Sequence, residues 1–240
     1  MRRFILPVLI CLAQPVAADD ARDFVEGNVL ATLYHEIGHA MIDVLELPVL
    51  GREEDAADSL AIVMTHNMWE EEQARNVASA TALSFLLMAE GGEEPVFWGV
   101  HGTNEQRFYN TVCLFYGADP ENRAEFVTAG ELPEERASGC AEEFALADES
   151  WAGLLYDVTL DDGAAPAKSF EFSGDDGPIA DLLVTEIDDL NTRFNLPVTL
   201  PIILGPCGEA NAFYDPNSQE ITICTEYVDF LWQQAQDANM

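Results

Sequence analysis

The chain has 240 residues, with ten Lys and Arg against 44 Asp and Glu, and its formal net charge is −34 at pH 7. Nucleic acids and anionic membrane surfaces carry the same sign of charge, so this balance argues against both as binding partners. Hydrophobic residues make up 48% of the chain, which is enough for a packed core and argues against intrinsic disorder.

The N-terminal residues have the pattern of an export signal. Arg2 and Arg3 precede an apolar stretch over residues 4–13, and residues 16–18 offer small side chains for cleavage. The apolar stretch is too short to span a bilayer of about 30 Å. We therefore expect a signal peptide over residues 1–18 and an exported chain, periplasmic or secreted, that is not inserted in a membrane.

Residues 19–160 are expected to form the helical part of the mature chain. Apolar residues recur at helical spacing over residues 24–45, Pro48 and Gly51 end that helix, and a second helix begins near Arg52. A third helix is predicted over residues 69–90, and Thr103 is positioned to cap a fourth. The segment 161–167 is rich in Gly, Ala and Asp, which predicts a linker or long loop.

Residues 168–240 show a mixture of strand and helix patterns. Helices are predicted to open at Pro178 and to cover residues 227–236. The predicted strands cover residues 170–172 and 198–204, and a hairpin joins residues 212–214 to 221–223. We expect an α+β fold, mainly helical, with a small mixed or antiparallel sheet from the C-terminal third and a single domain over residues 19–240.

Four cysteines follow the predicted signal peptide: Cys113, Cys140, Cys207 and Cys224. An even number of cysteines in an oxidising compartment indicates disulfides. Three pairings are possible, and Cys113–Cys140 with Cys207–Cys224 is favoured because each bond closes a loop of modest length. No C-x-x-C spacing supports a cysteine metal site instead.

The first predicted helix contains the sequence His35-Glu36-Ile37-Gly38-His39. Histidines four residues apart share a helix face, so both imidazoles can bind one ion. Neutral imidazoles suit Zn²⁺, which takes three protein ligands in catalytic sites. Glu36 is placed to act as the general base that takes a proton from water. Since Gly38 has no side chain, it would allow a neighbouring backbone to approach the site.

The start of the second predicted helix offers a third ligand. Glu54 and Asp58 are four residues apart, and a short connection makes the two helices antiparallel neighbours. Glu54 is then the candidate metal ligand. Asp58 can accept the free imidazole N–H of a histidine ligand, which fixes the tautomer.

Together these segments resemble the H-E-x-x-H plus E-x-x-A-D pattern of gluzincin-type metallopeptidases. In that pattern the Glu is the third zinc ligand and corresponds to Glu54, and the Asp corresponds to Asp58. The gap from His39 to Glu54 is short for the pattern, which leaves Asp58 as the alternative third ligand. The segments 35–39, 47–58 and 106–110 also resemble a bacterial family of exported metallopeptidases. The resemblance implies a zincin-like fold, bound Zn²⁺ and a peptide or protein substrate.

A few other polar residues are candidates for a role at such a site. His101 is a candidate catalytic residue that hydrogen-bonds the oxyanion formed when a peptide carbonyl is attacked. The alternative for His101 is a structural role at the start of the following helix. Arg107 is expected to pair with an acid on the adjacent helix. Three tyrosines are further candidates for the oxyanion role: Tyr109, Tyr116 and Tyr214.

Two functions are compatible with these motifs. One is peptide-bond hydrolysis by a zinc metalloendopeptidase, and the other is an exported zinc-containing binding or regulatory module that does not cut. The intact Glu36 favours hydrolysis, because retention of a metal alone does not need a general base.

The order of the elements differs from the one that the resemblance implies. Zincins commonly place a small sheet before the motif helix, whereas here the strand-rich part follows it. We therefore expect the C-terminal part to fold back over the first helix, so that the hairpin at residues 221–223 borders the metal cleft. The disulfide Cys207–Cys224 would pin that hairpin.

Overall fold

The computed structural model describes residues 16–91 and 94–240. Most of the predicted signal peptide, residues 1–15, lies outside the described residues. The helices within them are α1 (Val16–Val44), α2 (Glu53–Met68), α3 (Glu71–Glu90), α4 (Asn104–Ala118), α5 (Ala124–Ala129), α6 (Glu134–Ala137), α7 (Cys140–Leu155), α8 (Pro178–Arg193) and α9 (Thr225–Asp237). The strands are β1 (Phe170–Gly174), β2 (Leu200–Gly205), β3 (Ala212–Asp215) and β4 (Glu220–Cys224). This is the predicted α+β class, mainly helical with a small C-terminal sheet.

Helix α1 lies at the centre of the molecule, because apolar residues cover more than one of its faces. Its side chains at Val25, Val29, Leu33, Ile37 and Met41 are fully buried. They pack against α2 and α3 on one side and against the C-terminal elements on the other. The helix that carries the histidine motif is therefore fixed by the core on several sides.

Glycines allow the neighbouring helices to approach α1 closely. A Cβ built on Gly38 would lie 3.0 Å from the Cα of Ala57 in α2, and one built on Gly27 would lie 2.8 Å from the Cβ of Ala80 in α3. A side chain at either position would force the neighbouring helix to shift, whereas glycine permits the close approach. The expectation that Gly38 admits a neighbouring backbone is confirmed.

The sheet is mixed and has the strand order β1-β2-β4-β3. Strands β1, β2 and β4 are parallel, while β3 pairs antiparallel with β4 through the predicted hairpin. The inner strands bury Ile202, Ile221 and Ile223 against the core. Strand β3 is left at one edge of the sheet.

The C-terminal part folds back over α1, as expected. Tyr227 of α9 makes a 2.8 Å hydrogen bond with Thr32 of α1, and Glu186 of α8 accepts a 2.6 Å hydrogen bond from Tyr34. In the sheet, the edge strand β3 and its neighbour β4 both contact α1. The strands therefore reach the motif helix although they follow it by more than half of the chain.

Covalent and local features also agree with the sequence. The two disulfides are Cys113–Cys140 and Cys207–Cys224, the favoured pairing. Residues 161–167 form a loop, as predicted. The sequence did not resolve the helices α5, α6 and α7 within the predicted helical part. None of the helices in the described ranges is long and apolar enough to cross a membrane.

Candidate metal centre

Three side-chain atoms from α1 and α2 converge on one point. The Nε2 atoms of His35 and His39 lie 3.2 Å apart, and Oε2 of Glu54 lies 3.2 Å from each of them. A tetrahedral ion with bonds of about 2.0–2.1 Å holds its ligand atoms about 3.3 Å apart. These three atoms, which we call the triangle, therefore match one face of a tetrahedral coordination shell. The three residues could hold a metal ion.

The outer nitrogens of both imidazoles contact carboxylates. His35 donates from Nδ1 to Oδ1 of Asp58 at 2.8 Å, and His39 donates from Nδ1 to Oε1 of Glu53 at 2.7 Å. Because a carboxylate only accepts, these contacts place a hydrogen on each Nδ1 and direct the Nε2 lone pair of a neutral imidazole towards Glu54. Asp58 thus lies on the opposite side of the His35 ring from the triangle. The contact between Glu53 and His39 was not predicted from the sequence.

Arg107 of α4 donates two hydrogen bonds to the carboxylate of Asp58. Its Nε donates to Oδ2 at 2.8 Å and its Nη2 donates to Oδ1 at 2.7 Å. The guanidinium also lies 4.2 Å from the ring centroid of Phe85. The acid with which Arg107 was expected to pair is therefore Asp58, and this pair orients the carboxylate that orients His35.

The surroundings of the triangle favour positive charge. Burial acts to lower the pKa of His35, but hydrogen bonds with Asp58 and Glu54 outweigh it and raise the pKa to about 9. Burial acts to raise the pKa of Glu54, but hydrogen bonds with His101, His35 and His39 hold it well below its ordinary value. The charge at the centre can be supplied by protons or by a metal ion, so the donor set fits a cation.

Glu36 lies on α1 beside the two histidines and is buried. Burial raises the pKa of its carboxyl group, and the nearby His35 and His39 oppose that shift. The backbone of Tyr214 in β3 also hydrogen-bonds the Glu36 carboxylate. A carboxylate with a raised pKa is a better proton acceptor than an exposed one, as general base catalysis requires.

An open cavity of about 710 Å³, which we call the outer cleft, borders the triangle. Its walls come from the end of α1, the start of α2, His101 and the edge strand β3. They include four acids besides Glu54, and two aromatic residues of β3: Glu36, Asp43, Glu46, Glu53, Phe213 and Tyr214. Tyr214 donates from its hydroxyl to Oδ2 of Asp43 at 2.7 Å, which ties β3 to α1. The hairpin therefore borders the cleft, through β3 rather than through residues 221–223.

A second cavity of about 200 Å³, which we call the inner cavity, also reaches the site. It shares His35, Glu36, His101, Asn211 and Ala212 with the outer cleft. Much of the remaining wall is apolar and comes from α2, α3 and α9: Ile62, Phe85, Met88 and Phe230. His35 and Glu36 thus line both cavities, whereas His39 and Glu54 line the outer cleft alone.

His101 lies at the site, at the end of the loop before α4. Its Nε2 is 2.9 Å from Oε2 of Glu54, and about half of its side chain is exposed. The loop end is fixed by a capping box in which the Thr103 side chain accepts from the backbone N–H of Gln106. Two of the tyrosine candidates, Tyr109 and Tyr116, are not among the residues that line the outer cleft or the inner cavity.

A second group of potential ligands lies at the end of the sheet. Cys207, Cys224 and Glu226 bring their ligand atoms within 4.8 Å of one another. The two sulfur atoms are bonded to each other in a disulfide. Glu226 accepts hydrogen bonds from the backbone N–H groups of Cys207 and Gly208. The disulfide and Glu226 therefore stabilise the loop, and this group is not a metal site.

Comparison with known proteins agrees with the donor set. The model of the family described as "Putative metallopeptidase" matches residues 12–155 and 179–240, which include every residue of the triangle, Glu36, His101 and β3. No curated protein and no solved structure matches the chain. Such a family implies a metal ion and a peptide or protein substrate. The chain belongs to this metallopeptidase family.

Proposed function

We propose that the chain is an exported zinc-dependent peptidase in which His35, His39 and Glu54 hold the ion and Glu36 is the general base. The observation that supports this proposal is the triangle of ligand atoms, 3.2 Å on each side, with a buried carboxylate beside it. Two imidazoles with one carboxylate are a ligand set of catalytic zinc. The two disulfides are compatible with export, because disulfides persist in oxidising compartments.

Zinc bound to these residues would supply a Lewis acid that polarises a carbonyl oxygen and lowers the pKa of water to about 7. The chain's own residues supply the rest of the chemistry. Asp58 and Glu53 keep the hydrogen of each imidazole on Nδ1, so that both Nε2 atoms remain available as ligands. Arg107 keeps Asp58 in place and ionised.

Glu36 moves the proton in this proposal. Its carboxylate takes a proton from the attacking water and passes it to the nitrogen of the leaving amine. The backbone N–H of Tyr214 acts to lower the pKa of this carboxyl group, which favours its proton-accepting form. His101 is proposed to donate a hydrogen bond to the oxyanion that forms at the attacked carbonyl, since it lies at the edge of both cavities.

Strand β3 supports an extended peptide as the substrate. The backbone N–H of Cys224 donates to the carbonyl of Asn211. Because hydrogen-bonded and non-hydrogen-bonded pairs alternate along an antiparallel ladder, the backbone N–H and C=O groups of Ala212 and Tyr214 point away from β4. The N–H of Ala212 donates to Oδ1 of Asn211, and Tyr214 contacts Glu36. The outward carbonyls of Ala212 and Tyr214 can then accept N–H groups of a substrate strand.

The test combines metal analysis with proteolysis of a broad peptide library. We expect about one zinc per chain and hydrolysis by the wild type. Glu36→Gln should retain zinc and the fold but lose hydrolysis, because an amide cannot take the proton. Glu46→Gln is the matched control, since Glu46 lines the same cleft without contacting the triangle. Equal activity in wild type and Glu36→Gln would contradict the proposal, and a zinc-loaded wild type that cuts nothing would favour a binding module.

A further inference from the structure

The loop between α3 and α4 exposes a group of large apolar side chains. Val96, Phe97, Trp98 and Val100 are exposed by 53%, 81%, 87% and 66%. They are four of the eleven large apolar side chains that are exposed in the described part of the chain. Clustered exposed apolar residues on a soluble, highly charged surface mark a binding surface, whereas single ones do not. We call residues 94–103 the apolar loop.

The apolar loop ends at the candidate metal centre. His101, three residues after Trp98, lies 2.9 Å from the carboxylate of Glu54. Three residues span at most about 11 Å even when extended, so the exposed tip cannot be far from the outer cleft. A hydrogen bond from the N–H of Gly99 to the carbonyl of Val96 turns the tip further back on itself. The exposed cluster is therefore continuous with the site.

His101 also lines the inner cavity. Ile62, Phe85, Met88 and Phe230 form an apolar part of its wall, and the rest includes polar side chains such as Thr32 and the Asp58–Arg107 pair. A volume of about 200 Å³ is sufficient for one large aliphatic or aromatic side chain but not for a folded segment. His101 thus belongs both to the loop with the exposed apolar tip and to the wall of a partly open cavity whose lining is apolar in part.

We propose that the apolar loop and the inner cavity bind an apolar segment of the substrate, so that the preferred substrates are polypeptides with large aliphatic or aromatic side chains close to the cut bond. This inference rests on the proposed function, because it takes the outer cleft as the place where peptides bind. The occupant is a peptide rather than an anionic lipid surface, since a chain with a net charge of −34 is repelled by anionic lipid. An extended peptide on β3 passes the site and can reach both apolar surfaces.

The experiment measures binding without hydrolysis, in zinc-loaded Glu36→Gln protein. The probes are a short peptide with Leu and Phe at its centre and a twin of equal length and charge with Ser and Asn at those positions. We expect the apolar peptide to bind about tenfold more tightly, as burial of one large side chain allows. Adding Phe97→Ser and Trp98→Ser should remove most of this difference and leave the zinc content unchanged.

The control adds Leu146→Ser and Tyr156→Ser to the same protein. These residues are exposed by 59% and 78% and lie on α7 and just after it, away from the residues that line the outer cleft. This variant should retain the preference for the apolar peptide. Circular dichroism melting of both variants checks that the fold is kept.

Three results would overturn the inference. The two peptides could bind equally, the Phe97→Ser and Trp98→Ser protein could keep the full preference, or the control variant could lose it. Co-sedimentation with vesicles of a zwitterionic lipid is run in parallel. Binding to vesicles that depends on Phe97 and Trp98, without a preference between the peptides, would assign the loop to a lipid surface instead. Because the binding protein carries Glu36→Gln, failure here is distinct from a failure of the wild type to cut peptides.

Discussion

His35 and Asp58 are joined by a 2.8 Å hydrogen bond from Nδ1 to Oδ1. Asp58 in turn receives two hydrogen bonds from Arg107. Burial acts to raise the pKa of Asp58, but the contacts with His35 and Arg107 lower it well below its ordinary value. The carboxylate is therefore ionised throughout the neutral range, and it can hold the imidazole in the orientation that points Nε2 at Glu54.

This relationship predicts that Asp58 contributes to metal affinity without being a ligand. Asp58→Asn should weaken zinc binding by about 10–100-fold, because the amide holds the imidazole less firmly and makes it less basic. Arg107→Lys should weaken it less, since one ammonium replaces two hydrogen bonds to the carboxylate. Competition with a chelator measures both affinities. Arg136→Lys, at a pair with Glu143 that also has two contacts, is the control and should not change zinc affinity.

A comparison of alanine variants tests the choice of third ligand. His35→Ala and His39→Ala should lose zinc, and Glu54→Ala should weaken binding sharply. Asp58→Ala should have a smaller effect, because Asp58 contacts the Nδ1 side of His35 and not the Nε2 side. Zinc content after dialysis against a weak chelator provides the measurement. If Glu54→Ala kept its zinc while Asp58→Ala lost it, Asp58 would be the ligand.

The sequence predicts the parts of this site that depend on local spacing. The four-residue steps from His35 to His39 and from Glu54 to Asp58 fix helix faces, and the short connection makes α1 and α2 antiparallel. The contact between Gly38 and Ala57 follows from the same local pattern, and its observed closeness agrees with the expectation. The α+β class was also predictable, because the strand patterns are confined to residues 168–240 and a helical part precedes them.

Contacts that depend on the rotation of a helix or on distant pairing were not predictable. Glu53 and Glu54 are neighbours in sequence, and only the rotation of α2 decides that Glu53 reaches the outer nitrogen of His39. Tyr214 contacts Glu36 across most of the chain, and this contact depends on the register of β3 against β4. The residue pattern of a single segment determines neither the rotation of α2 about its axis nor the register of β3 against β4.

A buried carboxyl group away from the metal centre predicts a pH dependence of stability. Burial raises the pKa of Glu186 to about 7, although the hydrogen bond from Tyr34 opposes the shift. The folded chain therefore holds a proton that the unfolded chain loses between about pH 4.5 and 7. The contribution of Glu186 to the free energy of unfolding is fully present below pH 4.5. It is lost as the pH rises through 7, and the total loss is up to about 3 kcal/mol.

Glu186→Gln removes this titration while keeping an oxygen that can accept from Tyr34. The free energy of unfolding of the variant, relative to the wild type, should rise between pH 4.5 and 8, as measured by denaturant titration at several pH values. Glu171→Gln, at an exposed position in β1, is the control and should show no such trend. A constant difference between Glu186→Gln and wild type across this range would contradict the assignment.

The two disulfides should have similar effects on stability but different effects on substrate binding. Their cysteines are separated by 27 and 17 residues, so removal of either bond, by Ser at both positions, should cost about 3 kcal/mol of the free energy of unfolding. Only Cys207–Cys224 joins the connection before β3 to the end of β4, where the N–H of Cys224 donates to Asn211. Its loss should therefore loosen the edge strand and raise KM for peptides, with zinc content unchanged.

Loss of Cys113–Cys140, which joins α4 to α7, is the matched control and should leave KM unaltered. Equal KM values for the two variants, measured well below both melting temperatures, would show that β3 does not position the substrate.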